Sequence, residues 1–125
     1  MKTNIKATNI ALTEAISSYL TEKLAYIEKL LPVGDDSIIA DVELAKETKH
    51  HLHGEVFKAE INLRSAGKNF YSVAHEEDLY AAIDAMRDEI TRQIKTGFEK
   101  KNTLLRRGGR KAKEMLRSVY WWRNK

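Results

Sequence analysis

The sequence predicts an α+β fold, a two-layer β-α-β-β-β-α sandwich in which a four-stranded sheet carries two helices on one face. Three observations carry this expectation. Two long stretches place apolar residues at the three-to-four spacing of a helix. Four shorter stretches alternate apolar and polar residues with period two, as strands do. The clearest strand patterns are apolar on one side only, so the sheet has a single face to bury and both helices must share it.

The elements follow in order. Lys2 to Thr8 alternates weakly and reads as a first strand. Thr13 then offers a hydroxyl as N-cap to a helix whose Ile16, Leu20, Leu24, Ile27 and Leu31 fall on one side. Pro32 and Gly34 end it, because proline cannot continue the hydrogen-bond ladder. From Ser37 to Glu47 the period becomes two: Ile38, Ala40, Val42 and Leu44 point inward, Asp41, Glu43 and Glu47 outward. Residues 49–54 (KHHLHG) form a polar connection. Glu55 to Arg64 is the next strand, with Phe57, Ala59, Ile61 and Leu63 inward and Lys58, Glu60, Asn62 and Arg64 outward. A tight turn at 65–68 containing Gly67 makes a hairpin with a fourth strand, Asn69 to His75. There Phe70, Ser72 and Ala74 or Tyr71 and Val73 could face the core. The last helix runs from Asp78, its N-cap, to Lys101, with Leu79, Ile83, Met86, Ile90, Ile94 and Phe98 as one stripe.

Length and composition narrow the function. A chain of 125 residues is one domain with at most an appendage. There is no cysteine, which excludes disulfides and thiolate chemistry. No apolar run approaches the roughly 20 residues of a membrane span, and no secretory signal is visible, so a cytoplasmic location is expected. His50, His51 and His53 lack a clear fourth ligand and read as a solvated connection, not a metal site. Glu76, Glu77 and Asp78 precede a helix, where carboxylates complement the amide dipole. With no Walker loop, dinucleotide fingerprint, metalloprotease motif or nucleophile-base pair, neither an enzyme nor a cofactor is expected, nor a small-molecule substrate.

Charge is segregated along the chain. Residues 1–94 carry 11 Lys/Arg against 16 Asp/Glu, a balance of −5, whereas residues 95–125 carry 11 against two, a balance of +9. A basic arm of this kind is drawn to polyanions, nucleic acid or an anionic membrane. Within it Arg106, Arg107, Arg110 and Lys111 flank Gly108-Gly109, and a short helical edge with Arg117 leads to Tyr120, Trp121 and Trp122. Guanidinium binds phosphate bidentately and indole stacks on an exposed base, so arginine with tryptophan suits RNA. The same tryptophans would also serve to dock the arm on its own domain or on a second subunit. In the body, the outward carboxylates Asp41, Glu43, Glu47 and Glu60 make the sheet's open side unfavourable for RNA. The cations that can gather lie on the helices: Lys23 and Lys29 on the first, and Arg87, Arg92, Lys95, Lys100 and Lys101 on the last. Asp88, four residues before Arg92, is available as its partner.

NIKATNIALTEAI near the N-terminus, KLAYIEK in the first helix and, above all, EDLYAAID followed by RQI resemble the ribosome hibernation promoting factor and ribosome-associated inhibitor A family. The resemblance covers residues 1–101, leaving 102–125 as a basic C-terminal extension unlike the family's usual acidic tail or second domain. It implies a stress-response protein of the cytoplasm that binds ribosomal RNA of the small ribosomal subunit in the tRNA and mRNA channel, blocking translation and preserving idle ribosomes. Lys23, Lys29 and Arg92 match basic family positions and are implied phosphate contacts. Tyr26 and Glu89 stand where relatives usually carry lysine. Two other readings stay open. Two helices on a sheet also describe a double-stranded-RNA-binding fold, hence a generic RNA-binding module. A basic, tryptophan-ended arm also suits a peripheral membrane or oligomerisation protein.

Overall fold

A computed structural model describes residues 1–32, 34–49 and 54–106, with side chains only as far as Phe98 and without that of Lys49. The elements are β1 (Lys2–Thr8), α1 (Glu14–Lys29), β2 (Ile39–Lys49), β3 (Gly54–Ser65), β4 (Lys68–Glu76) and α2 (Leu79–Arg106). The α+β expectation holds. The sheet order is β1-β2-β3-β4, with β1 parallel to β2 because α1 crosses between them, and the remaining pairs antiparallel.

The register aligns apolar positions across the sheet. Val42 pairs with Ile61, Leu44 with Ala59 and Leu63 with Phe70. These meet Leu20, Leu24 and Ile27 of α1 and Leu79, Ile83, Met86, Ile90 and Ile94 of α2 in one buried cluster. Each large aliphatic side chain so enclosed is worth roughly 1.5–3 kcal/mol relative to exposure, and they set the helices on the sheet. In β4 it is Phe70 and Ser72 that are buried, while Tyr71 and Val73 face solvent. The Ser72 hydroxyl donates to the Met86 carbonyl at 3.1 Å, so this polar group is satisfied inside the core.

β2, β3 and β4 differ from the sequence reading by one or two residues at each end, and both helices end elsewhere than it placed them. α1 ends at Lys29 with Leu30 as C-cap, yet Leu31 remains buried just beyond the helix. α2 continues to Arg106 rather than ending at Lys101, because residues 102–106 (NTLLR) contain no proline or glycine to stop it. At 28 residues it is about 42 Å long. Both N-caps form as expected. The Thr13 hydroxyl accepts from the Ile16 amide at 3.2 Å, and the Asp78 carboxylate from the Ala81 amide at 3.3 Å.

The β3–β4 loop is Ala66-Gly67, with φ of 51° and 74°. Two successive positive φ values match the twist of a two-residue hairpin, and glycine accepts one without cost. Ala66 is held there by Asp35, whose carboxylate accepts from the Ala66 amide at 3.0 Å and the Ser65 hydroxyl at 3.2 Å.

The open side of the sheet is less acidic than the sequence reading of Asp41, Glu43, Glu47 and Glu60 implies. Cross-strand pairing inserts Lys58 beside the carboxylates of β2, 2.6 Å from Glu43 and 4.0 Å from Glu47, and Lys6 lies 3.8 Å from Glu43. Asp41 and Glu60 are met instead by neutral donors, the Asn4 side-chain amide at 2.8 Å and the Tyr71 hydroxyl at 2.7 Å. The histidine cluster at 50–53 lies outside the described residues; among those described, no helix is long and apolar enough to cross a membrane.

Candidate nucleic-acid interface on the paired helices

α1 and α2 run in the same direction side by side, and their facing rows keep step. Tyr19, Lys23 and Tyr26 are spaced by four and three residues; so are Tyr80, Asp84 and Arg87. Equal spacing on parallel helices lets each residue meet its counterpart. Tyr19 and Tyr80 make an edge-to-face contact at 5.0 Å and 88°. Lys23 Nζ sits 3.8 Å from Asp84 Oδ1 and 4.8 Å from the Tyr19 ring centre. The Arg87 guanidinium lies over the Tyr26 ring at 5.3 Å. The Tyr19 hydroxyl donates to Asp84 Oδ1 at 2.5 Å, and that bond to a carboxylate, with burial, pushes the phenol up to about 12.

The predicted cations are therefore divided. Lys23 and Arg87 come together on the seam, each beside a carboxylate. Arg87 Nε is enclosed 2.9 Å from Asp88 Oδ1, without the alignment of a hydrogen bond. Arg92 points to solvent on the outer side of α2, 64% exposed. Its partner is Glu89, not Asp88: Nε donates to Oε2 at 3.0 Å and Nη2 to Oε1 at 2.6 Å, because a fork three residues on reaches both oxygens. Gln93 adds a third bond to Glu89 at 3.1 Å. Hydrogen bonds from Arg92 and then Gln93 hold the Glu89 carboxyl down at about 2. Lys29 and Lys95 are exposed, and neither has an ion-pair partner among the described residues. The backbone places Lys100, Lys101 and Arg106 in the last turns of α2, but their side chains lie outside the described residues, as do Arg107, Arg110, Lys111, Arg117, Trp121 and Trp122 altogether.

Sequence reasoning overlooked Tyr19, Tyr80 and Gln93, and read Tyr26 only as a missing lysine. The matched four-and-three spacing of the two rows was visible, but that they face each other depends on the helices being parallel. Gln93 uses its side-chain amide as a strand would. It accepts from the Tyr71 amide at 3.1 Å and donates to the Tyr71 carbonyl at 2.7 Å, closing that point of the β4 edge.

Comparison with known proteins agrees with this architecture. A ribosome hibernation promoting factor of Pseudomonas putida is 32% identical over 106 residues, covering 84% of this chain and 94% of that one. The factor of the same name from Escherichia coli K12 is 27% identical over 95 residues, 75% of this chain and 90% of that protein. Among solved structures, the N-terminal domain of Thermus thermophilus Protein Y superposes with a TM-score of 0.63 at 27% identity, covering 77% of this chain and 98% of that domain. Residues 3–102 match the family described as Sigma 54 modulation protein / S30EA ribosomal protein. With the strand order, the parallel helix pair and this match in agreement, the chain belongs to the Sigma 54 modulation protein / S30EA ribosomal protein family.

Proposed function

We propose that this protein is a ribosome hibernation factor that lays its paired helices against ribosomal RNA of the small subunit, in the channel used by tRNA and mRNA, and so holds ribosomes idle. The observation that carries the reading is the family match over residues 3–102, which spans both helices. The chemistry is compatible. RNA of A-form geometry is bound through phosphate and shape, and the helices carry Lys29, Arg92 and Lys95 exposed to solvent, with Lys23 and Arg87 half-buried along the seam. Three of these are already neighboured by carboxylates, so the body by itself displaces few counterions. Lys29, Lys95 and the cations from Lys100 onward then supply most of the salt-sensitive affinity. Trp121 and Trp122 add stacking in the same interface.

Sedimentation with purified ribosomes tests this. Co-migration with the small subunit, abolished by saturating tRNA and message, is the expected result. Migration with protein-free RNA of any sequence points instead to a general RNA-binding module, and flotation with anionic vesicles to a membrane role.

A further inference from the structure

The three tyrosines of the seam are not equivalent. Tyr19 is committed on all sides: its hydroxyl to Asp84, its ring to the Tyr80 edge and to Lys23. Tyr80 is 36% exposed and spends its ring contact on Tyr19. Tyr26 is 40% exposed, its hydroxyl has no hydrogen-bond partner among the described residues, and its one ring contact there is the Arg87 guanidinium. A lone exposed aromatic is ordinary. An exposed aromatic braced by an arginine is the arrangement in which a base can stack on the ring while the cation neutralises a neighbouring phosphate.

Charge accounting at the seam favours stacking over an ionic contact. Lys23 has Asp84 at 3.8 Å, and Arg87 has Asp88 at 2.9 Å. A phosphate arriving at either must compete with a carboxylate already present, which cancels part of its attraction. A base settling on Tyr26 displaces only water. We infer that Tyr26, braced by Arg87, is a stacking platform for one unpaired base of the RNA that the helices bind. The inference rests on the ribosome-binding reading and adds to it a base-directed contact whose strength is insensitive to salt.

The test uses the full chain and purified ribosomes, with affinity measured over a salt series. Tyr26→Phe keeps ring and brace and is expected to bind as the wild type. Tyr26→Leu keeps the helix and loses the ring; about tenfold weaker binding with an unchanged salt slope is expected. Arg87→Gln serves as the contrast, weakening binding while lowering the slope, by less than one because Asp88 already neighbours the guanidinium. A photo-crosslinking residue at position 26 is expected to capture a nucleotide. Tyr26→Leu that melts normally and binds like the wild type overturns the platform, as does a crosslink confined to ribosomal protein. A loss accompanied by the slope change of Arg87→Gln also overturns it, since the tyrosine would then act only by holding the cation. Failure of the wild-type chain to bind ribosomes at all overturns the ribosome reading itself, and the platform with it.

Discussion

Glu89 shows how a single residue changes role once folded. In the sequence reading, the family resemblance implies a lysine at this position, so Glu89 reads as a lost RNA contact. In the structure it anchors both Arg92 and Gln93, and through Gln93 it touches the β4 edge. Its folded carboxyl sits at about 2 against an ordinary value of 4.5. A depressed carboxyl contributes stability that is present above its unfolded value and is lost as pH falls through the folded one. Glu89→Gln is therefore expected to melt below the wild type at neutral pH, with the gap shrinking between pH 4.5 and about 2, as circular dichroism over that range would follow. A gap independent of pH would mean that the charge is not what stabilises the cluster. The sign is opposite for Tyr19, whose phenol is raised from 10.0 to about 12, so its bond to Asp84 is kept below pH 10 and is lost through that upper window.

At the scale of elements, α2 packs tightly on Phe70 of β4 at a position that lacks a side chain, Gly97. A Cβ added at Gly97 would lie 3.0 Å from Phe70 Cε1 and 3.3 Å from Cζ, and Phe70 is buried against Phe98 at 6.1 Å between ring centres. Replacing a mid-helix glycine by alanine ordinarily gains up to about 1 kcal/mol of helix propensity. Here the ring must yield, and its neighbours leave it little room. Gly97→Ala is expected to lower the urea midpoint in the native background and to raise it when Phe70→Leu has removed the ring; additive effects would exclude the contact. Nothing in the sequence singles out this glycine, because it interrupts neither the stripe nor the helix. The hairpin at 65–68 was legible from Gly67 alone, whereas Asp35, which holds it from the far loop, was not.

At the scale of the whole molecule, the proposed function assigns ribosome binding to both the described body and the basic residues 107–125. The core is formed by residues up to Ile94, and the described helix ends at Arg106. Removing residues 107–125 is expected to leave the melting temperature of the body unchanged. It should lower the salt slope of ribosome binding by several units, since seven lysines and arginines are lost. An unchanged slope would take that segment out of the interface. The same measurement on Lys29→Gln and Lys95→Gln weighs against it two helix cations that have no ion-pair partner among the described residues.

The order and type of every element, the buried stripe of α2 and the family itself were determined by the sequence, since periodicity, caps and motifs are local properties of the chain. The facing of β4 was undecided there, because both of its sides carry large apolar residues, and α2 over the sheet selected Phe70 over Tyr71. The charge of the open sheet side and the pairing of the helix cations were also beyond a one-dimensional reading. Whether Lys58 neutralises Glu43, or Arg92 turns to Glu89 instead of Asp88, depends on strand register and rotamer. Those are set only when the elements pack, because Coulomb attraction and hydrogen bonding act over a few ångströms in space and not along the chain.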